Sequence, residues 1–182
     1  DTPLKIVDGY YGMDYEDLEK KIDARTKMLI FCSPHNPAGR VWKKDELKHM
    51  AEICEKKNIV IVSDEIHSDL ILGKIKHTCT ATVSADALDR TVTLTAPNKT
   101  FNIAGLQNAD AIIPNKKLRD AFFTVTQNNS VSNPNIFGMV AQEAAYAKGE
   151  PWLEECLTYL RGNLKFFEDY VKKNMPMLKV YP

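Results

Sequence analysis

The sequence predicts an α/β fold built on parallel strands, followed by a helical last third. Residues 28–32 (MLIFC) and 59–62 (IVIV) are short apolar runs bounded by turn residues, as expected of strands buried on both faces. Between them, residues 44–57 place Leu47, Met50, Ala51 and Cys54 at helical spacing, with charges elsewhere. Strand, helix and strand at this separation make a βαβ unit, whose strands run parallel. Beyond residue 116 the periodicity turns helical.

The elements can be taken in order. Residues 14–21 read as a short amphipathic helix capped by Asp14. Residues 33–39 (SPHNPAG) form a loop, because two prolines and a glycine interrupt any regular structure. Residues 91–95 (TVTLT) make a third strand, leading into the segment 96–99, and residues 109–113 a fourth. A helix over residues 116–125 and a polar loop over 127–134 follow. Residues 135–148 and 151–174 are helical, the second with Pro151 near its start. A stripe of Leu153, Leu157, Leu160, Leu164 and Phe167 on that last helix is expected to pack.

Composition narrows the class. The chain has 182 residues, 24 Lys+Arg against 24 Asp+Glu, and is 44% hydrophobic. This balance argues against a nucleic-acid-binding domain and against an acidic disordered tail. The longest apolar runs fall far short of the roughly 20 residues of a membrane span. Residues 1–5 show no basic leader, and the absence of an initial Met hints at an excised piece. Cys32, Cys54, Cys79 and Cys156 form no C-x-x-C pair, so reduced thiols in a cytoplasmic protein are expected, with Cys32 and Cys54 buried.

In open parallel sheets, functional groups collect at the carboxyl ends of strands. Three loops here leave that edge, carrying Asn36, Asp64 and Lys99. A nucleoside triphosphatase reading of Asp64-Glu65 requires a G-x-x-x-x-G-K-[ST] loop, which is absent. A dinucleotide fold lacks its G-x-G-x-x-G, and a serine hydrolase its G-x-S-x-G.

The segments CSPHNPAGRVW (32–42), SDEIHSD (63–69) and NKTFNIAGL (98–106), with GEPWL (149–153) and LRGN (160–163), resemble fold-type I pyridoxal-phosphate enzymes of aminotransferase class I/II. The likeness is closest to the cystathionine β-lyase (MalY/PatB, C–S lyase) branch. It implies a three-layer α/β/α fold with a mainly parallel sheet, the PLP-dependent transferase-like large domain. Residues 1–150 would form the major part of that cofactor-binding domain. Residues 151–182 would be a long linking helix toward a small C-terminal domain that the chain lacks. Under the same resemblance Lys99 holds pyridoxal 5′-phosphate as a Schiff base and acts as the catalytic base. Asp64 pairs with the pyridine nitrogen, and Asn36 bonds the phenolic oxygen. His67 stands where the wider group has Tyr, which favours β-lyase over transaminase. Asn98 replaces a Ser near the phosphate, and Gln107 an arginine.

The implied activity is β-elimination of cystathionine or cysteine conjugates to thiol, pyruvate and ammonia, by a cytoplasmic homodimer acting on small amino-acid substrates without membrane or nucleic-acid partners. No metal is implied, and the 182 residues alone are expected to be inactive. An aminotransferase of class I/II, or a cofactor-free regulatory or assembly module on the same fold, are the alternatives. Taken singly, Lys99 reads as a solvated charge, Asp64 as a helix cap and Asn36 as turn chemistry; their joint placement at three strand ends favours the functional reading. For His67 and Asn98 the residues leave structural and functional roles open.

Overall fold

The alternation of side chains along the strands decides where each layer lies. The structure, a computed structural model, describes residues 1–131 and 133–181. A small antiparallel hairpin pairs β1 (Lys5–Val7) with β2 (Tyr10–Gly12). Asp8 and Gly9 turn it at φ 51° and 85°, the positive values that a two-residue hairpin turn of matching twist demands. Helix α1 (Tyr15–Lys21) follows, with the Asp14 carboxylate accepting from the Asp17 N–H at 3.2 Å.

The main sheet comprises β3 (Met28–Cys32), β4 (Val60–Asp64), β5 (Thr91–Thr95) and β6 (Asp110–Ile112), side by side in that order. The first three are parallel and β6 is antiparallel to β5. Helix α2 (Lys44–Lys56) connects β3 to β4, as the βαβ pattern predicts. Helix α3 (Ala85–Arg90), capped by Ser84, and the single turn α4 (Pro97–Thr100) flank β5. Helices α5 (Lys116–Asn128), α6 (Ile136–Lys148) and α7 (Glu150–Asn174) complete the described chain.

Period-two alternation separates the two sheet faces. On one, Leu29 and Phe31 align with Ile61 and Ser63, and these with Thr91 and Thr93. Leu47, Met50, Ala51 and Cys54 of α2 and Ala87 of α3 cover this face and form the core with Phe31, Trp42, Ile59 and Ile61. Burial pushes the Cys54 thiol up to about 11, leaving it an inert core group. The opposite face carries Ile30, Val62, Val92 and Leu94; Ile30 is 77% exposed.

Several expectations change. The second strand runs through Asp64, so that residue ends the strand rather than following it. The hairpin and α3 add to the elements that the sequence predicts. Lys99 sits in a helical turn rather than a loop, because buried Pro97 fits the first position of a helix. Gln127 and Asn128 belong to α5, and Ser132 of the expected 127–134 loop lies outside the described residues. Cys32 is half-buried. On α7 only Leu157 of the leucine stripe is buried, while Leu164 and Phe167 are exposed, because the described chain packs no element along that whole stripe.

Trp42 locks the loop after β3 to the core. Its indole N–H donates to the Cys32 carbonyl at 2.9 Å, and its ring lies 5.9 Å from that of Phe31. Trp42→Phe keeps most of the packing and strands that carbonyl. We expect it to destabilise the fold by about 1–3 kcal/mol, read as a lower denaturation midpoint at unchanged slope.

Candidate active site at the carboxyl edge of the sheet

Each candidate side chain lies at the carboxyl end of one of three adjacent parallel strands or shortly beyond it. Asp64 closes β4, with Cys32 of β3 as its register neighbour on one side and Leu94 of β5 on the other. The ladder continues past the strands: the Ser33 N–H donates to the Asp64 carbonyl and the Glu65 N–H to the Leu94 carbonyl, at 2.9 and 2.8 Å. Asp64 is half-buried, and its Oδ1 accepts from the Ile66 N–H at 3.2 Å.

Asn36 stands at the exposed tip of the loop after β3, between two cis X–Pro bonds, Ser33–Pro34 and Asn36–Pro37. Paired His35 and Arg40 close the loop, and Gly39 turns it at φ 65°, a value that disfavours any side chain. The Arg40 guanidinium pairs with Glu46 at 2.7 Å and lies over the Trp42 ring at 5.1 Å. The Cys32 thiol donates to the Pro34 carbonyl and accepts the Asn36 N–H. Half-buried His35 is held below the usual imidazole range by desolvation.

His67 follows in the turn after β4, half-buried, and its Nε2 is enclosed without a hydrogen-bond partner. Lys99 is the third residue of α4 and is exposed; Asn98 beside it has a buried, unpartnered Oδ1. Thr100 Oγ1 donates to Asp69 Oδ2 at 3.0 Å, joining α4 to the segment after β4. The Phe101 ring lies edge-on to Tyr146 of α6 and tilted against Trp152 of α7, at 6.1 and 6.0 Å. Burial raises the Tyr146 phenol above its ordinary range, against a hydrogen bond with Thr95 that lowers it. Gln107 is exposed, in left-handed conformation at φ 51°. Among the described residues no His, Cys, Asp and Glu cluster fit to hold a metal occurs.

Behind Asp64, on the core face, lies a network that the motif reading passed over. Glu65 is 3% exposed. Its Oε1 accepts from the Ser63 hydroxyl at 2.8 Å and the Thr80 N–H at 2.9 Å, and its Oε2 from His77 Nε2 at 2.6 Å. Burial alone would raise this carboxyl, but the hydrogen bonds from His77, Thr80 and Ser63 outweigh it and hold the group below the usual glutamate range. Strand alternation was the available signal: if Asp64 faces the site, Ser63 and Glu65 must face the core.

A family match extends these features to the whole chain. The sequence model of aminotransferase class I and II covers residues 5–180, and the chain belongs to that family. It is 45% identical over 180 residues to cystathionine β-lyase PatB of Bacillus subtilis, covering 98% of this chain and 46% of the relative. The structure superposes on cystalysin from Treponema denticola, which contains a pyridoxal 5′-phosphate cofactor, with TM-score 0.91 and 40% identity over 96% of this chain and 44% of the other. A PLP-bound C–S lyase from Staphylococcus hominis gives 0.88 and 36%, with the same coverage. The chain thus spans about half the length of the relatives it matches. Its α/β fold, with a mixed and mostly parallel sheet, is the one the sequence predicts.

Glu65 binds its proton less readily folded than unfolded. Its contribution to stability is therefore complete above the unfolded value of about 4.3 and is lost as pH falls through the depressed folded value. Glu65→Gln should lower stability at pH 7 and flatten its dependence across the acidic range. Denaturation midpoints of both proteins, measured from neutral pH downward, check this; parallel curves would contradict it.

Proposed function

We propose that the polypeptide carrying this sequence is a pyridoxal 5′-phosphate-dependent carbon–sulfur β-lyase of the cystathionine β-lyase type. The observation that carries the reading is the position of an amide, a carboxylate, an imidazole and an amine at or shortly after the carboxyl ends of three neighbouring parallel strands. Two unpartnered polar atoms, His67 Nε2 and Asn98 Oδ1, support the fit of a polar ligand there. A buried polar atom left unmade costs about 1–3 kcal/mol, which a hydrogen-bonding ligand removes. An amide presents oxygen or nitrogen by a half-turn, so Asn98 suits either partner.

Asp64 would hold its carboxylate against the ring nitrogen and keep that nitrogen protonated. Asn36 would donate to the phenolic oxygen, and His67 would offer a second polar contact at the same rim. Lys99 would bind the carbonyl group through its amine and later carry the proton from the substrate α-carbon. The cofactor, when bound, supplies the electron sink that such a carbon needs. Lys99 is exposed in the described chain, so the exclusion of water from its amine comes from the bound ligand.

The substrate class is an amino acid with sulfur on its β-carbon, cystathionine or a cysteine conjugate. Thiol, pyruvate and ammonia are the products. The similarity to PatB and to the C–S lyase supports elimination over amino-group exchange. In the same reading residues 1–150 supply most of the large cofactor-binding domain and residues 151–182 the helix leading to a smaller one. The enzyme works in the cytoplasm as a homodimer. Four free cysteines suit a reducing compartment, and exposed Phe137, Val140 and Phe166 on α6 and α7 offer apolar area to a second copy. No helix among the described residues is long and apolar enough to cross a membrane.

The whole polypeptide, loaded with cofactor and given cystathionine, should release pyruvate and thiol in equal amounts. Keto-acid exchange without thiol release would instead identify an aminotransferase. A protein that stays colourless with added cofactor would identify a scaffold. Lys99→Ala should abolish the visible absorbance of the lysine-linked cofactor and lower turnover by at least about a thousandfold, as loss of a covalent and proton-transferring group does. A persistent band would overturn the assignment.

A further inference from the structure

One turn of helix has no stability of its own, so the position of α4 is set by what grips it. Pro97 and Thr100 are buried, the Phe101 N–H closes the turn onto the Pro97 carbonyl at 2.9 Å, and the Phe101 ring seats against Tyr146 and Trp152. These contacts fix one side of the turn through apolar packing, which tolerates sliding and rotation. Ala96, at the N-cap, makes no side-chain cap. Among the described residues a single side-chain hydrogen bond anchors α4: Thr100 Oγ1, on a residue only 2% exposed, donates to Asp69 Oδ2 at 3.0 Å. A hydrogen bond to a charged acceptor is directional and stronger than a neutral one. Asp69 lies five residues past Asp64 and two past His67. The bond therefore joins the segment carrying the carboxylate and imidazole to the turn carrying the amine.

We propose that Asp69 is a positioning residue for Lys99, setting through Thr100 the placement of the amine relative to Asp64. Lys99 and Thr100 are consecutive in the turn and so point about 100° apart, which lets Thr100 hold the turn without engaging the amine. Asp69 is itself solvent-exposed, so its side chain accepts the bond at little desolvation cost. Loss of the bond leaves α4 folded by its apolar contacts and allows it to drift. Displacement of a reacting group by about 1 Å can lower turnover on the order of a hundredfold.

The inference rests on the assignment of Lys99 as the cofactor-bound amine. Its test uses the complete polypeptide with pyridoxal 5′-phosphate, following the pH titration of the visible band alongside kcat and KM. Thr100→Val and Asp69→Ala should each shift the titration midpoint and lower kcat by about tenfold or more, with KM changed less than about twofold. Thr100→Ser, which retains the donor, should restore both readouts, and Asp69→Asn, which retains a weaker neutral acceptor, should restore them in part. The double variant Thr100→Val with Asp69→Ala should be no worse than either single one, as expected of two partners in one bond. If Asp69→Ala does not fold, Thr100→Val, which conserves volume, supplies the same readouts. A Thr100→Val protein with unaltered titration and kcat overturns the proposal, as does a loss that Thr100→Ser fails to restore. Absence of the lysine-linked band in the unsubstituted protein overturns the Lys99 assignment and this inference with it; a normal band there with an unaltered Thr100→Val overturns the positioning role alone.

Discussion

Parallel pairing of β3, β4 and β5 in one register, with Cys32 beside Asp64 and Asp64 beside Leu94, is the constraint on which the site depends. Neighbouring strands lie roughly 4.8 Å apart, so three loops leaving the same edge present their first few residues within a span that one small ligand can bridge. Antiparallel pairing would send alternate loops to opposite ends. That is what happens at β6, which runs antiparallel to β5 and contributes no candidate group to this rim. The loops differ in how they use the shared edge. The first is closed by its own His35–Arg40 pairing, the second begins in the strand itself, and the third is a helical turn held from outside.

The two faces of β4 divide the labour between stability and chemistry. Ser63 and Glu65 look into the core, where every hydrogen-bonding atom named for them has a partner, and the network stands in the place of apolar packing. Such a network is advantageous when fully satisfied and costly when partly so. Asp64, one residue away, stays only half-buried. Rigidity on one face thus supports a carboxylate that is available on the other.

The sequence made most of the sheet and the three strand-end residues legible, because apolar runs, helical spacing and turn residues all act locally. Met28 to Cys32 and Thr91 to Thr95 are strands over the lengths read from their composition. Asp8-Gly9 is a hairpin signal of the local kind, but the strands it joins are three residues each and carry little pattern. The helical turn at Lys99 was not legible: four residues hold no period, and the turn exists because Phe101 finds Tyr146 and Trp152 some fifty residues downstream. The same holds for Asp69 and His77, whose partners Thr100 and Glu65 are chosen by tertiary contact rather than by spacing. For α7 the periodic stripe was real, yet periodicity reports a face and not what covers it.

The alternation through Ser63, Asp64 and Glu65 has a consequence for how this segment can change over time. Substitutions there act on one face at a time. Insertion or deletion of a single residue within β4 would reverse every side chain beyond it, sending the site's carboxylate into the core and the core's carboxylate out to the rim. Both acids would still be present and both would be misplaced. Length in this stretch is therefore under tighter constraint than the identity of most of its residues, and lineages that vary in loop size should hold the count from Val60 to Glu65 fixed.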